Sequence, residues 1–292
     1  EDADGRMAIP KEGAVITLAL GWESGPDVVP GLVDKGTFKV DEAEWGGPPD
    51  RITVRARSAV LTDSYRKRRE GSWRETTLGA IVREIASRNG LAATIDPLLA
   101  AIAVPILGQD QRSDMALIRF LGDRHDAVAT VKAGILLFAR IGSGLSAGGK
   151  PLPALRLTRS GRDSYSYRRA ERDRHDGVEA RWHDQDKGER RTVEVGREGK
   201  DDRKPRRLRR TFASEADARH AAEAEKRRID RAAASFDCTL GYGDPRIYPD
   251  QPVALQGFKP EIDALSWLVA EASHALEANK GLTTALKLET RS

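Results

Sequence analysis

The sequence predicts an α+β fold that is mainly β, with β regions on either side of an α/β insert and one long helix in the C-terminal half. Three observations carry this. Short β-branched segments broken by Gly and Pro open and close the chain. Two stretches of helical apolar periodicity lie between residues 77 and 125, and an alanine-rich amphipathic stretch follows Ser214.

Residues 14–20 (AVITLAL) are apolar and β-branched, and 36–40 and 51–59 follow as extended segments. Within 51–57, Ile52, Val54 and Ala56 alternate with Arg51, Thr53, Arg55 and Arg57, so the arginines take the face opposite the apolar set. Pro48-Pro49-Asp50 supplies the preceding turn. Residues 1–64 thus read as an antiparallel β domain whose outer surface is solvated or faces a partner.

After Tyr65 the period changes. Thr77 can cap a helix that places Leu78, Ile81, Val82, Ile85 and Ala86 on one stripe and stops at Asn89-Gly90. Ser113 can open a second helix, burying Leu117, Phe120 and Leu121 and ending near 122–125. Residues 127–132 and 135–140 then form two strands around an Ala133-Gly134 turn. Together, 65–141 make a compact α/β unit. The Gly/Ser/Pro-rich 142–153 reads as a linker and the clearest domain boundary.

Beyond it, 154–158, 165–168, 177–183 and 192–195 are short strands with charged, glycine-containing turns. Ser214 begins a helix to 234, with Asp217 completing a capping-box-like start and Ala218, Ala221, Ala222, Ile229, Ala232 and Ala233 forming a shallow apolar stripe. Segments 236–240, 252–257, 266–275 and 282–288 return to β, so 154–292 forms the second β domain.

Composition narrows the function classes. The 292 residues suffice for more than one core, and 32% charged against 39% hydrophobic residues describes a polar, foldable chain. The formal charge of +4 is a small excess of 49 basic over 45 acidic residues, weak support for a nucleic-acid partner. Cys238 is the one cysteine, so no internal disulfide forms. The sequence shows no signal peptide and no apolar run of membrane-spanning length, so the chain is expected to be made in a cytoplasm and to need no membrane. The start at Glu1, through an Asp2-Ala3-Asp4-Gly5 turn, reads as a truncated or processed edge.

No catalytic constellation stands out. Gly142, Gly144 and Gly148 follow a strand, but their spacing departs from a dinucleotide loop, and Pro151 and Pro153 stand where a helix would start. The five histidines form no HxxxH or HxH pair. His125-Asp126, His175-Asp176 and His183-Asp184 are adjacent, yet neighbours on a strand point to opposite faces, and no GxSxG elbow is present. The carboxylates offer no distinguishable pair. The run Arg203-Lys204-Pro205-Arg206-Arg207-Leu208-Arg209-Arg210 could meet phosphates or an acidic protein surface. Asp201 and Asp202 precede it and few aromatics interleave, so a solvated or protein-facing strand is favoured. Trp45, Trp73, Trp182 and Trp267 read as core or interface anchors. The prediction is therefore no enzyme, no cofactor and no metal.

The order of segments resembles the phage late control gene D family, baseplate hub proteins of contractile tails. The likeness runs from Lys35-Gly36-Thr37-Phe38 and Gly47-Pro48-Pro49-Asp50 through the arginine-rich strand. It continues in Ser72-Trp73, Thr77-Leu78-Gly79, Ile81-Val82, 86–91 and Gln111-Arg112-Ser113-Asp114. Next come Ala129-Thr130-Val131-Lys132-Ala133-Gly134 and Leu136-Leu137-Phe138. Trp267-Leu268-Val269, Ser273-His274, Asn279-Lys280-Gly281-Leu282-Thr283-Thr284 and Leu286-Lys287-Leu288 look like the family's closing hairpin. The resemblance implies two β-barrel-like tube domains and a trimeric, pseudo-sixfold ring joining tail tube to central spike. In role it is similar to the amino-terminal part of type VI secretion spike proteins. Implied partners are a homotrimer, the tube or tube-initiator protein, the spike and the tape-measure protein. The implied place is the virion tail baseplate, assembled in the bacterial host cytoplasm. Family members start some tens of residues earlier, so the first strands of the first barrel are expected to be absent. Exposed strand edges and arginine faces would then serve as joints, with Arg51, Arg55, Arg57, Arg206, Arg207, Arg209 and Arg210 as candidate interface residues. The competing readings are a basic nucleic-acid-binding regulator, motivated by residues 203–210, and a tail-tip cell-wall hydrolase.

Overall fold

A computed structural model describes residues 8–58, 63–132, 134–169, 175, 177–184, 187–197 and 204–291. The Asp2–Gly5 turn, Ala59, Ala133, Asp176, Asp201, Asp202 and Arg203 lie outside the described residues.

The first sheet is antiparallel: β1 (Val15–Trp22), β2 (Gly31–Gly46) and β3 (Arg51–Ser58), in that order. β2 begins five residues before the expected 36–40 and continues six beyond it. Gly36, which reads as a strand start, instead lies mid-strand at φ +102°, beside a register shift opposite Leu18 and Ala19. A glycine inside a strand pattern marks a bulge as readily as an end. A second shift, at Asp41, bends β2 so that its halves pair with different neighbours.

The α/β unit contains α1 (Asp63–Arg66), β4 (Ser72–Thr77), α2 (Leu78–Arg88), β5 (Ala92–Ile95) and α3 (Pro97–Ala100). β6 (Ala103–Gly108), α4 (Asp114–His125), β7 (Ala127–Lys132) and β8 (Ile135–Arg140) complete it. Both expected caps form: Thr77 Oγ1 accepts from the Ala80 N–H, and Ser113 Oγ from the Ala116 N–H. Their apolar stripes meet in one core around Leu78, Ile81, Ile85, Leu117, Leu121, Leu136 and Phe138. The sequence reading missed α1, β4, β5, α3 and β6. β5 pairs in parallel with β8, and β4 antiparallel with β6, so each is held by a partner distant in the chain.

Segment 142–153 is a folded loop with a Leu145–Pro151 bridge, not an unattached tether. Its Gly142 N–H donates to Asp250 at 2.8 Å, and the Arg291 guanidinium donates to the Gly142 and Ser143 carbonyls at 3.1 and 3.2 Å.

The C-terminal half holds two sheets. β9 (Leu155–Thr158), β10 (Ser164–Arg169), β14 (Ala234–Leu240), β15 (Pro252–Gln256), β16 (Trp267–Glu277) and β17 (Gly281–Thr290) form a curled half-barrel ordered β10-β14-β17-β16-β15-β9. It closes over Phe236, Val253, Leu255, Trp267, Val269, Leu286 and Leu288, with α6 (Pro260–Asp263) at one end. Between β10 and β14 the chain builds β11 (Val178–Asp184), β12 (Glu189–Val195), β13 (Arg206–Phe212) and α5 (Glu215–Arg231). β11 is central, antiparallel to β12 and parallel to β13, and α5 covers one face through Ala218 and Ala222.

Helix α5 stops at Arg231, three residues short of the expected 234, because Ala234 already pairs with Arg169 in the half-barrel. Alanine's helix propensity yields there to strand pairing. The capping box is also half-formed. Ser214 Oγ accepts from the Asp217 N–H, but the Asp217 carboxylate accepts from Arg124 on α4 at 2.6 Å.

Candidate assembly interface

In the first sheet the register fixes the faces. Trp45 lies opposite Ile52, Ala43 opposite Val54 and Val40 opposite Ala56, while Ile16 lies opposite Phe38. Strand alternation adds Leu18 to this apolar side. Only Val40 is buried there, and Trp45 remains 59% exposed, Leu18 42% and Ile16 40%. Among the described residues, none of this sheet belongs to the three hydrophobic cores of the chain.

The sheet is tethered near Trp22. The Trp22 indole N–H donates to the Gly243 carbonyl at 2.8 Å, and its ring meets Tyr242 edge-on. The Lys35 ammonium donates to the Pro245 carbonyl. Burial, then the nearby Lys132 charge, lowers the Lys35 pKa.

The opposite face carries the predicted arginines. Arg55 pairs with Glu42 at 2.6 Å and Arg57 with Asp41, while Arg51 has no ion-pair partner among the described residues. Both pairs are exposed, and such pairs contribute about 0–1 kcal/mol to stability. They can exchange their partners for those of another protein at small cost.

Strand alternation splits the second arginine run. Arg206 and Arg210 point to the α5 side, where Arg206 pairs with Glu225 at 2.7 Å and Arg210 lies over the Phe120 and Phe212 rings. Arg207 and Arg209 point outward. Arg207 meets Glu179 at 3.0 Å, and Arg209 has no ion-pair partner among the described residues. The two predicted arginine groups occupy different sheets and make no common site. The sequence reading assigned no role to Ile16 and Leu18, whose alternation gives their face without showing that it stays uncovered.

The histidine–aspartate neighbours and the cysteine occupy structural positions. His125 is buried and its pKa is pushed down to about 4, chiefly by burial and then by Arg124, His220 and Arg227. Its neighbour Asp126 turns away to accept two hydrogen bonds from Arg231. Asp184 beside His183 pairs with Arg191 at 3.2 Å. His175 Nδ1 lies 3.3 Å from the Lys204 carbonyl, and His274 contacts Thr284 Oγ1 and the Ile247 carbonyl. Burial raises the Cys238 thiol pKa to about 12, with help from Asp163 and Asp237. Among the described residues, no group of three or more His, Cys, Asp or Glu side chains could hold a metal. No described helix is long and apolar enough to cross a membrane. Gly142 and Gly144 adopt positive φ within the folded loop and precede no helix. Trp267 is fully buried, and Trp73 and Trp182 are partly buried against their cores.

Residues 5–280 match the family described as phage tail baseplate hub (GPD). Over 328 positions the chain is 37% identical to a probable baseplate hub protein of Escherichia phage 186, covering all of this chain and 83% of that protein. Over 326 positions it is 37% identical to a probable baseplate hub protein of Escherichia phage P2, covering 99% and 83%. Among solved structures, the 43 kDa tail protein of prophage MuSo2 from Shewanella oneidensis superposes with a TM-score of 0.63 at 16% identity, covering 97% of this chain and 82% of that one. An Escherichia coli type VI secretion component superposes at 0.54 and 10% identity, covering 89% and 61%. The two structural likenesses establish fold and the sequence relatives establish kinship: the chain belongs to the phage tail baseplate hub (GPD) family, as a structural component of the tail.

Proposed function

We propose that this hub protein works without catalysis, as one subunit of a homotrimeric ring that joins the end of a contractile tail tube to the central spike. The observation that carries the reading is the first sheet: amphipathic, attached near Trp22, with Trp45, Leu18 and Ile16 exposed on one face. A sheet with one apolar face gains stability when that face is covered, at roughly 25 cal/mol per Å² removed from water. In a closed ring each subunit offers the same surface, so an apolar patch that would promote aggregation of a monomer becomes a joint.

In this reading 1–64 and 154–292 are the two tube-type domains, 65–141 is the α/β insert between them, and 142–153 joins insert to second domain. The face with Arg51, Arg55 and Arg57 meets a neighbouring tail protein: tube or tube initiator, spike, or tape measure. Assembly takes place in the host cytoplasm before the baseplate joins the virion. Light-scattering mass measurement of the purified chain should give a trimer, with three-lobed rings in electron micrographs. A monomer at every accessible concentration would overturn the ring.

A further inference from the structure

We propose that the outward face of the β12-β11-β13 sheet is a docking surface for an acidic segment of another tail protein. This goes beyond the ring, since a single subunit presents the whole surface.

The face follows from register. Helix α5 packs on the side bearing Val178, Ala180 and Val193. The alternate residues therefore point away, and pairing aligns Arg181 with Thr192, His183 with Arg190 and Glu179 with Arg207. Pairing turns Arg207 and Thr211 outward, opposite Glu179 and Arg181; between them residues 208–210 bulge opposite Ala180, with Leu208 packed toward α5, Arg210 over the Phe212 ring, and the exposed Arg209 between them on the outward side. Four arginines, at 181, 190, 207 and 209, thus share one side of a three-stranded sheet.

Two glutamates on the same side are already engaged. Glu179 is buried between Arg207 at 3.0 Å and Arg181 at 3.9 Å, and Glu194 pairs with Arg197 at 3.3 Å. Among the described residues Arg190 and Arg209 have no ion-pair partner, and both are exposed. They stand on the two edge strands, Arg190 level with His183 and Arg209 near the level of Ala180 on the central strand. Thr192 and Thr211 add exposed hydroxyls on those strands. An extended chain with spaced carboxylates matches this pattern: its charges meet the outer arginines, and its backbone meets the hydroxyls.

Nucleic acid fits less well. Glu179 and Glu194 would lie under a phosphate backbone, and Trp182, the indole of this sheet, packs with the α5-side cluster, where it cannot stack on a base. Glu179 engages Arg207 and Arg181, which leaves Arg190 and Arg209 for the carboxylates of a protein partner.

The test is binding of a short, labelled oligoglutamate to the full chain, followed by fluorescence polarisation at rising salt, with duplex DNA as competitor. The wild type should bind saturably at low salt and lose affinity as salt rises. The double variant R190E/R209E should bind on the order of tenfold more weakly or worse. Its thermal unfolding should match the wild type, and Arg83→Glu, an exposed change on α2, should bind normally. Absence of wild-type binding, or equal binding by the double variant, overturns the proposal. So does displacement of the peptide by DNA at lower concentration than unlabelled oligoglutamate, which would assign the face to nucleic acid.

Discussion

Asp126 and Arg231, 105 residues apart, close a buried ion pair between the end of α4 and the end of α5: both terminal nitrogens of the guanidinium donate to the two carboxylate oxygens. Asp126 reaches this position through a left-handed backbone, φ 53° and ψ 54°, at the C-cap of α4. Its carboxylate therefore leaves the helix axis and meets α5. Arg231 also lies 3.7 Å from Glu289 on β17, so one side chain joins the α/β unit, the β11–β13 and α5 unit, and the half-barrel.

Replacing Arg231 with Met should destabilise the chain by about 1–3 kcal/mol, because the buried Asp126 carboxylate loses both of its hydrogen-bond donors while Arg227 and Arg228 remain near it at 3.6 and 4.0 Å. The double variant R231M/D126N should recover a large part of that loss. Urea unfolding of the four proteins forms a double-mutant cycle. A coupling near zero would show that the pair is incidental.

His125 gives the fold an acid-sensitive element. Its folded pKa of about 4 lies below the ordinary 6.5, because burial and the positive groups around it disfavour the imidazolium. The unfolded state binds the proton more readily. The contribution to stability is therefore fully present above the unfolded pKa of 6.5, and is lost as pH falls through the window down to about 4. The loss is of order 3 kcal/mol. Unfolding free energies at neutral and mildly acidic pH should differ accordingly, and His125→Leu should flatten that difference. An unchanged slope in the variant would assign the acid sensitivity to other groups.

Cys238 should behave as a core residue. It is 7% exposed and its thiol titrates only at about 12, so the reactive thiolate is scarce at neutral pH. Aromatic disulfide reagents should label it slowly in the native state and at once in denaturant. Rapid native labelling would mean that β14 opens locally.

The elements legible in the sequence are those whose signal is local. Thr77 and Ser113 announce their helices because a hydroxyl, a helical apolar stripe and a stop occur within a dozen residues. β14 to β17 announce themselves by alternation between Gly, Pro and Asn. What escaped depends on distant partners. β5 is four residues long and forms a strand because β8 offers a parallel edge forty residues later. At the candidate interface, the sequence identified the arginines of β13 as a run but not their division. That division requires knowing that α5 lies under Leu208 and Phe212, leaving only the alternate arginines free to face a partner.

The bare face of the first sheet yields the sharpest assembly prediction. Leu18 and Trp45 lie on opposite halves of the bent β2 ladder, Leu18 facing Gly36 and Trp45 facing Ile52. Both are exposed, so changing them removes little from the folded monomer, and surface changes of this kind usually fall within about 0.5 kcal/mol. If neighbouring subunits cover this face, L18K/W45E would bury two charges without partners in every joint, a cost of several kcal/mol per interface. The double variant should therefore remain folded, with a melting temperature close to that of wild type, while its solution mass falls from oligomer to monomer. Arg55→Glu, on the opposite face, should leave the mass unchanged, because that charge points away from the joint. A double variant that keeps the oligomer would place the joint elsewhere, and one that loses its fold as well would show that the face is part of the subunit core.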